Sequence, residues 1–243
     1  MRSLILFPLV LCVAPVFAEK PEAPAPAPAK GDKVALPASE SLRYSINWPS
    51  GLSLGEGSFK ATQSKSGGWE LDLALDASIP GFAVVDHYHS FANSELCSES
   101  LEKTYQHGRR KASEKTTFDL EKGEATRQSL DEGAGKSTIA TGACAHDALT
   151  FIQYVRRELA LGHLSPQHKV VFGSEYQVRL DYKGPQSIKI GEGNQSADRI
   201  EASLKGPQTN LTFEIYFARD GGRTPLLVRV PLTLGAFTME LVP

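Results

Sequence analysis

From Leu42 to the end of the chain, apolar and polar residues alternate with a period of two. Leu42, Tyr44 and Ile46 alternate with polar residues, and residues 69–76 repeat the pattern. Because successive side chains of a strand point to opposite faces, this alternation predicts strands with one buried and one wetter face. Turn signals rich in Gly, Pro and Asp separate the strands by about 10–20 residues, which predicts long antiparallel strands joined by hairpins.

One segment departs from this pattern. Residues 147–161 carry apolar residues at helical spacing, with a capping residue before them and a glycine after them: Asp147, Leu149, Ile152, Val155, Leu159 and Gly162. These signals predict a helix near residues 147–161. With seven or eight strands expected before it and six or seven after it, we predict a mainly β fold. The expected architecture is an antiparallel open β-barrel or strongly curved β-sheet (a β-spiral), with the helix in its interior.

The first residues predict export. A positive start at Arg2 is followed by an uncharged apolar run that ends in the small-residue signature VFA at residues 16–18, which is typical of a secretory signal peptide over residues 1–18. The run is shorter than the ~20 residues of a spanning helix. A lipoprotein signal at Cys12 is the disfavoured alternative, because Leu11 stands where a small residue is expected.

Residues 19–40 contain an alternating Ala-Pro run with Pro24, Pro26 and Pro28 and cannot build a core, so we expect a disordered spacer, with a ligand for a proline-recognition module as the alternative. This leaves a single domain at residues 41–243. Ala-Pro leaders of this kind favour the periplasm of a Gram-negative bacterium. No later stretch is long and apolar enough to cross a membrane, so no transmembrane segment is expected in the mature chain.

The charge balance limits the partners. The chain carries 26 basic and 28 acidic residues, for a formal charge of −2. A nucleic-acid-binding protein usually carries a strong basic excess, so no nucleic-acid partner is expected. Loss of Arg2 with the signal makes the mature chain slightly more acidic, which also argues against broad electrostatic attachment to a membrane.

Cys97 and Cys144 are the cysteines that remain after signal cleavage. In an oxidising compartment two such thiols are expected to pair, and closing the long loop between them would stabilise the fold by roughly 3–4 kcal/mol. The alternatives are two free thiols or a redox pair, although no C-x-x-C spacing is present to lower a thiol pKa.

Two motifs suggest binding sites. His87 and His89 lie at i and i+2 on one strand face and could supply two metal ligands, with His107 and His146 as candidates for the others. The alternative is a solvated or packed histidine pair, and we predict no resident metal or other cofactor. Residues 133–138 (GAGKST) resemble a phosphate-binding loop, but Leu130 replaces the first glycine and the flanks predict a polar hairpin.

The order of the motifs resembles an exported bacterial family. The markers are the opening segment LRYSINWPSGLSLGEGSF, the helix pattern Asp-Ala-Leu-x-x-x-x-Tyr-x-x-Arg, and the ending YFARDGGRTPLLVRVPLTLGAFTMEL. Over roughly residues 40–243 the chain resembles the family known as domain of unknown function 3108. This resemblance implies a periplasmic open β-barrel or β-spiral, similar in shape to lipoprotein carriers and envelope-integrity proteins. It implies no catalytic residues.

We therefore expect a non-enzymatic protein that serves the cell envelope as a scaffold or interaction partner, with an envelope protein, a glycan or a lipid as its partner. No G-x-S-x-G elbow or paired carboxylate site is present to support a hydrolase. The alternative is a carrier of a hydrophobic ligand, such as a lipid or a lipoprotein acyl chain, in a cavity between sheet and helix. The candidate lining residues are Phe82, Phe91, Phe151, Tyr154, Phe213 and Phe217.

Overall fold

The computed structural model describes residues 36–79, 82–131, 135–207, 209–232 and 235–243. Eight strands precede the helix: β1 (Ser39–Asn47), β2 (Ser53–Gln63), β3 (Trp69–Ile79), β4 (Phe82–Ala92), β5 (Ser98–His107), β6 (Arg110–Asp119), β7 (Glu124–Ser129) and β8 (Lys136–Ala140). The helix is α1 (Ala148–Ala160). Six strands follow it: β9 (Gln167–Val171), β10 (Glu175–Ile190), β11 (Gly193–Lys205), β12 (Asn210–Ala218), β13 (Pro225–Leu232) and β14 (Gly235–Leu241).

The fourteen strands of the described residues form one antiparallel sheet. The chain enters in the middle of the sheet at β1, meanders to one edge at β8, crosses through α1 to the opposite edge at β9, and returns until β14 pairs with β1. Within the described residues β8 and β9 do not pair, so the sheet is not closed. The predicted fold class, an open β-barrel or strongly curved sheet with one central helix, is confirmed.

The segment that leads into α1 connects strands from the two halves of the sheet. The Ser98 amide donates to the Ala145 carbonyl at 2.8 Å, at the start of β5. The Val171 amide donates to the His146 carbonyl at 2.9 Å, at the end of β9. This segment therefore joins β5 and β9, which lie far apart in the order of the strands.

The helix begins and ends at the residues that its caps predict. Asp147 is the N-cap and accepts hydrogen bonds from the amides of Leu149 and Thr150. Leu161 is the C-cap, and Gly162 has a φ of 77°, in the left-handed region that glycine adopts at low cost. The helix separates two apolar clusters, because Leu149 packs with the first half of the sheet whereas Phe151 and Val155 pack with β9–β12.

The longest strand, β10, contains an irregularity. Its register with β11 shifts between Tyr182 and Pro185, at the Gly184-Pro185 turn signal, yet the strand continues to Ile190. The Leu180 amide still donates to the Pro166 carbonyl on this side, but beyond it β10 pairs with β11 alone among the described residues, so its other side is an edge. A proline, which has no N–H to donate, is tolerated on such an edge or at a bulge.

The predicted signal peptide at residues 1–18 and most of the predicted spacer, residues 19–35, lie outside the described residues. The last part of that segment is ordered against the domain, because Leu36 is buried and β1 begins at Ser39. Residues 36–40 of the predicted spacer therefore contact the domain.

Candidate functional site

An apolar cavity of about 270 Å³ lies between α1 and the strands β9–β12. Residues from the helix, the sheet and two connecting segments line it: Ala148, Phe151, Ile152, Val155, Val170, Phe172, Tyr176, Val178, Leu180, Ile200, Ala202, Leu204, Thr209, Phe213, Ile215 and Phe217. Apart from the Tyr176 phenol and the Thr209 hydroxyl, these side chains are hydrocarbon. The cavity therefore suits an apolar molecule.

The period-two pattern explains why these side chains share one face. Alternate residues of β10 and β11 point toward the helix, and the register pairs Leu180 with Ala202 and Ala202 with Phe213. The small Ala202 lies between larger neighbours, which leaves room above it. Opposite this face, Phe151, Ile152 and Val155 follow one side of the helix.

A second cavity of about 170 Å³ lies between the helix and the strands at the centre of the sheet. Its lining includes Tyr44, Phe59 and Met239, and it shares Ala148, Ile152 and Ile215 with the first cavity. Ile152 is the largest helix side chain among the shared residues. It therefore stands between two apolar spaces on either side of α1.

The structure brings together three of the six aromatic residues predicted to line a cavity. Phe151, Phe213 and Phe217 line the larger cavity. Tyr154 does not, because its ring packs 4.7 Å from the ring of His146.

Phe82 and Phe91 also lie outside the cavity and are 47% and 41% exposed. Phe91 follows the outward parity of β4 and packs edge-on against His89. Phe82 is the first residue of β4. It lies beside Gly108, which is in the turn between β5 and β6.

A buried polar cluster around Asp147 holds the N-terminus of α1. Its carboxylate accepts hydrogen bonds from the hydroxyls of Ser90 at 2.6 Å and Ser98 at 2.8 Å, in addition to the two helix amides. Burial raises the pKa of the Asp147 carboxyl, although these hydrogen bonds act in the opposite direction. The cluster fixes the end of the helix that lies nearest to both cavities.

A disulfide joins the two remaining cysteines, Cys97 and Cys144, beside this cluster. Cys97 directly precedes Ser98, and Cys144 directly precedes the segment that carries Asp147. The bond therefore ties the start of β5 to the chain entering the helix.

Arg156, in the second half of α1, anchors the helix to β1 and to the loop after β12. It is fully buried, its Nη2 donates to Glu40 Oε2 at 3.0 Å, and its Nε donates to the Gly222 carbonyl at 2.9 Å. Gln153 also accepts from the Arg156 guanidinium at 2.8 Å. This network fixes α1 against β1 and against the loop between β12 and β13.

A buried ion cluster lies beside Phe172 at one end of the cavity. Lys103 Nζ lies 2.7 Å from Glu114 Oε1 and 4.1 Å from the centre of the Phe172 ring. Arg127 Nε donates to the other Glu114 oxygen at 2.6 Å. Burial raises the pKa of the Glu114 carboxyl, but the hydrogen bonds from Lys103 and Arg127 outweigh this and leave that pKa below its usual range.

The predicted histidine pair lies on the outer face of the sheet. His89 Nδ1 is 2.6 Å from Asp72 Oδ1, and His87 Nε2 is 3.7 Å from the same oxygen. The other two predicted ligands do not converge with this pair. His107 instead bonds Asp86, which is buried on the inner side of β4, and His146 packs beside the helix.

The carboxylates near the histidines, Glu70 and Asp72, were not among the predicted metal ligands. The position of Asp72 can nevertheless be derived from the sequence. In the β3–β4 hairpin Ile79 pairs with Phe82, and counting back along both strands places His89 opposite Asp72. A tight turn assumed at the Pro80-Gly81 signal would have given this register.

The phosphate-loop resemblance does not extend to its structural context. Residues 132–134 lie outside the described residues. Lys136 begins β8, which pairs antiparallel with β7, whereas a phosphate-binding loop leads into a helix.

The helix inside a curved antiparallel sheet is the arrangement that the motif order implied. A family model for "protein of unknown function (DUF3108)" matches residues 43–242. The chain belongs to the DUF3108 family. No protein with a curated description matches it.

Two solved structures resemble this DUF3108 protein. A β-barrel-like protein of domain of unknown function DUF1849 from Brucella abortus matches with a TM-score of 0.62 and 8% identity, over 85% of this chain and 97% of that one. A Bacteroides fragilis protein described as having a YmcC-like fold matches with a TM-score of 0.29 and 7% identity, over 83% and 92% of the two chains. The first likeness supports the fold alone.

Neither the family description nor these two structures name an enzymatic activity. In the part of the chain that the structure describes, no helix has the length and apolar character needed to cross a membrane.

Proposed function

We propose that this protein binds a hydrophobic ligand, such as a lipid or an acyl chain, in the cavity between α1 and the strands β9–β12. The observation that carries the proposal is the size and apolar lining of this space, about 270 Å³. An apolar cavity of about 150 Å³ already stays free of water and binds small aromatic molecules, so a larger one is a credible ligand site. We further propose that the protein is exported to the periplasm and carries the ligand there.

The packing around the cavity supports this proposal. The helix is held at its N-terminus by the Asp147 cluster and along its side by Arg156, so the space between helix and sheet is kept open by contacts outside the cavity. Without these contacts we would expect the helix to pack closer to the sheet, since empty volume in a core costs stability. A ligand that fills it recovers the contacts that the lining residues lack.

Binding of a fluorescent fatty acid to the delipidated, purified mature chain tests the proposal. We expect saturable binding to the wild type and at least a tenfold weaker affinity for Ile152→Phe, because the added ring occupies the space beside the helix. The matched control is Leu161→Phe, which adds the same ring at a half-exposed position outside the cavity lining.

The two variants must keep the circular dichroism and cooperative unfolding of the wild type. Absence of saturable binding to the wild type would overturn the proposal, and so would equal affinities of the wild type and a folded Ile152→Phe variant. Native mass spectrometry of the protein as purified, with and without delipidation, provides an independent measurement of bound lipid.

The scaffold or interaction role expected from the sequence remains a prediction. It does not require an open apolar cavity, whereas a carrier does. Crosslinking in the native envelope, followed by identification of the captured partners, would test it.

A further inference from the structure

We propose that four side chains on the outer face of the β3–β4 hairpin form a binding site for a transition-metal dication of the Zn²⁺ class. These side chains are Glu70, Asp72, His87 and His89. This inference does not rest on the proposed lipid-binding function, because the hairpin presents these groups on the face opposite the cavities.

The strand pattern brings the four side chains together. Glu70 and Asp72 alternate with the buried Trp69 and Leu71, so both point outward from β3. His87 and His89 point the same way from β4, and the register places His89 directly opposite Asp72. Residues at i and i+2 of one strand share a face, so all four groups meet in one patch.

The donor atoms lie close together, with Asp72 Oδ1 on the Nδ1 side of the His89 ring and Glu70 Oε1 3.5 Å from its Nε2. One donor atom each from Glu70, Asp72 and His89 lies within 4.8 Å of the other two. His89 Nδ1 is 2.6 Å from Asp72 Oδ1, and His87 Nε2 is 3.7 Å from that same oxygen. Donors about 2.0–2.2 Å from a tetrahedral zinc ion lie about 3–3.5 Å apart, which these distances bracket.

Two of the four proposed ligands, His87 and Glu70, have exposed side chains. The side chains of His87 and Glu70 are 59% and 51% exposed, so both are free to rotate, whereas Asp72 and His89 are more buried and form the fixed part of the site. Zinc sites with neutral imidazole and carboxylate ligands use this combination of donors.

The charges in the patch favour a dication. Among the described residues, no Lys or Arg side chain lies within salt-bridge distance of Glu70 or Asp72, although Lys60 of β2 lies opposite Asp72 in the register. Metal ligands must be deprotonated, and with neutral imidazoles the two carboxylates leave a formal charge of −2. A bound dication neutralises this charge. The nearby Glu102 is already held by Lys115 at 2.7 Å, so the four-residue set is complete without it.

The donor set also selects the class of metal. Two imidazoles with two carboxylates suit Zn²⁺, Ni²⁺, Co²⁺ and Cu²⁺, whereas Mg²⁺ and Ca²⁺ prefer oxygen ligands. Glu70 also lines a polar surface cleft of about 410 Å³ beside Phe91, so a metal held by this residue stays accessible to solvent.

Calorimetric titration of Zn²⁺ into untagged, EDTA-treated mature protein tests the site. We expect one equivalent bound at micromolar concentrations, no heat from Mg²⁺, and at least a tenfold loss of affinity in both His89→Gln and Asp72→Asn. His163→Gln is the matched control, because His163 is an exposed histidine in the loop after α1. This variant should bind as the wild type does.

A Co²⁺ titration adds a spectroscopic readout. Tetrahedral nitrogen and oxygen coordination gives visible absorption that should appear in the wild type and vanish in His89→Gln. If the wild type takes up no stoichiometric Zn²⁺, the four side chains form ion pairs only and the proposal is wrong. It is equally wrong if folded His89→Gln and Asp72→Asn variants bind Zn²⁺ as tightly as the wild type.

Discussion

At the scale of single residues, His146 is a buried group whose protonation opposes the fold. Its ring packs against Tyr154 and Phe151, and within the described residues its Nε2 atom has no hydrogen-bond partner. Burial lowers the pKa of His146 to about 4, and the positive potential of His168 and Arg157 adds to this effect. The folded protein therefore keeps this imidazole neutral.

This depressed pKa predicts acid sensitivity. The unfolded chain takes up a proton near the ordinary histidine pKa of about 6.5, whereas the folded chain does so only near 4, so the free energy of unfolding falls as the pH decreases between these values. The loss due to this group is roughly 3–4 kcal/mol at full protonation. We expect His146→Phe to remove most of that part of the pH dependence, measured by urea unfolding at pH 7.5 and about pH 4.5.

His163→Phe serves as the control, because His163 is exposed and its replacement should leave the slope unchanged. Equal pH dependence of the wild type and His146→Phe would mean that His146 is protonated in the folded state.

At the scale of elements, the entrance of α1 depends on one carboxylate. Asp147 accepts hydrogen bonds from two helix amides and from the hydroxyls of Ser90 and Ser98. Ser90 lies on β4 and Ser98 on β5, so the same group caps the helix and joins it to two strands. The disulfide between Cys97 and Cys144 holds the adjoining backbone.

We expect Asp147→Ala to lower the free energy of unfolding by about 3 kcal/mol. The helix cap contributes roughly 1 kcal/mol, and each buried donor left without an acceptor costs about 1–3 kcal/mol more. Asp147→Asn should cost less, because its carbonyl oxygen still accepts from the amides and the serine hydroxyls can rotate to accept from its NH₂ group. Chemical denaturation of both variants measures the difference, and equal losses would contradict this account of the cap.

At the scale of the whole molecule, the helix divides the space enclosed by the sheet. One apolar cluster belongs to the first half of the sheet and a second to β9–β12, and the two cavities lie on either side of Ile152. The side chain at position 152 therefore sets how far a long apolar ligand can extend.

Truncation of this side chain should change the preferred length of the ligand. Ile152→Ala joins the two cavities, so we expect it to bind long acyl chains more tightly relative to short ones than the wild type does. The substitution should also cost about 2 kcal/mol in stability without ligand, the low end for such changes because Ile152 already borders empty space. A bound ligand should restore part of the lost stability by mass action. The melting temperature should therefore rise with ligand concentration.

Competition of a fatty-acid series against a fluorescent probe measures this preference. An unchanged preference in a folded variant, with the wild type still binding, would mean that Ile152 does not separate the two spaces. Failure of the wild type to bind any member of the series would instead reject the lipid-binding proposal itself.

Much of the fold follows from local patterns. The alternation of apolar and polar residues predicted six or seven strands after the helix, where the described residues form six, and Asp147 and Gly162 marked both ends of α1. The aromatic residues were harder to place. Phe213 and Phe217 line the cavity as expected. Phe91 is exposed because it points to the outer face of β4, and Phe82 is exposed at the first residue of that strand, although it has the parity of the buried Tyr88.

Local sequence patterns are sufficient to predict the strands, the helix α1, its caps and the two cysteines that form the disulfide, since each of these depends on neighbours in the chain or on composition. The fold was needed to learn that β1 pairs with β14, that Arg156 contacts Glu40, and that Asp72 rather than His107 lies beside His89. It also decided that an open space lies beneath α1. These features depend on contacts between residues that are distant in sequence, and on how completely side chains from several strands fill a shared volume.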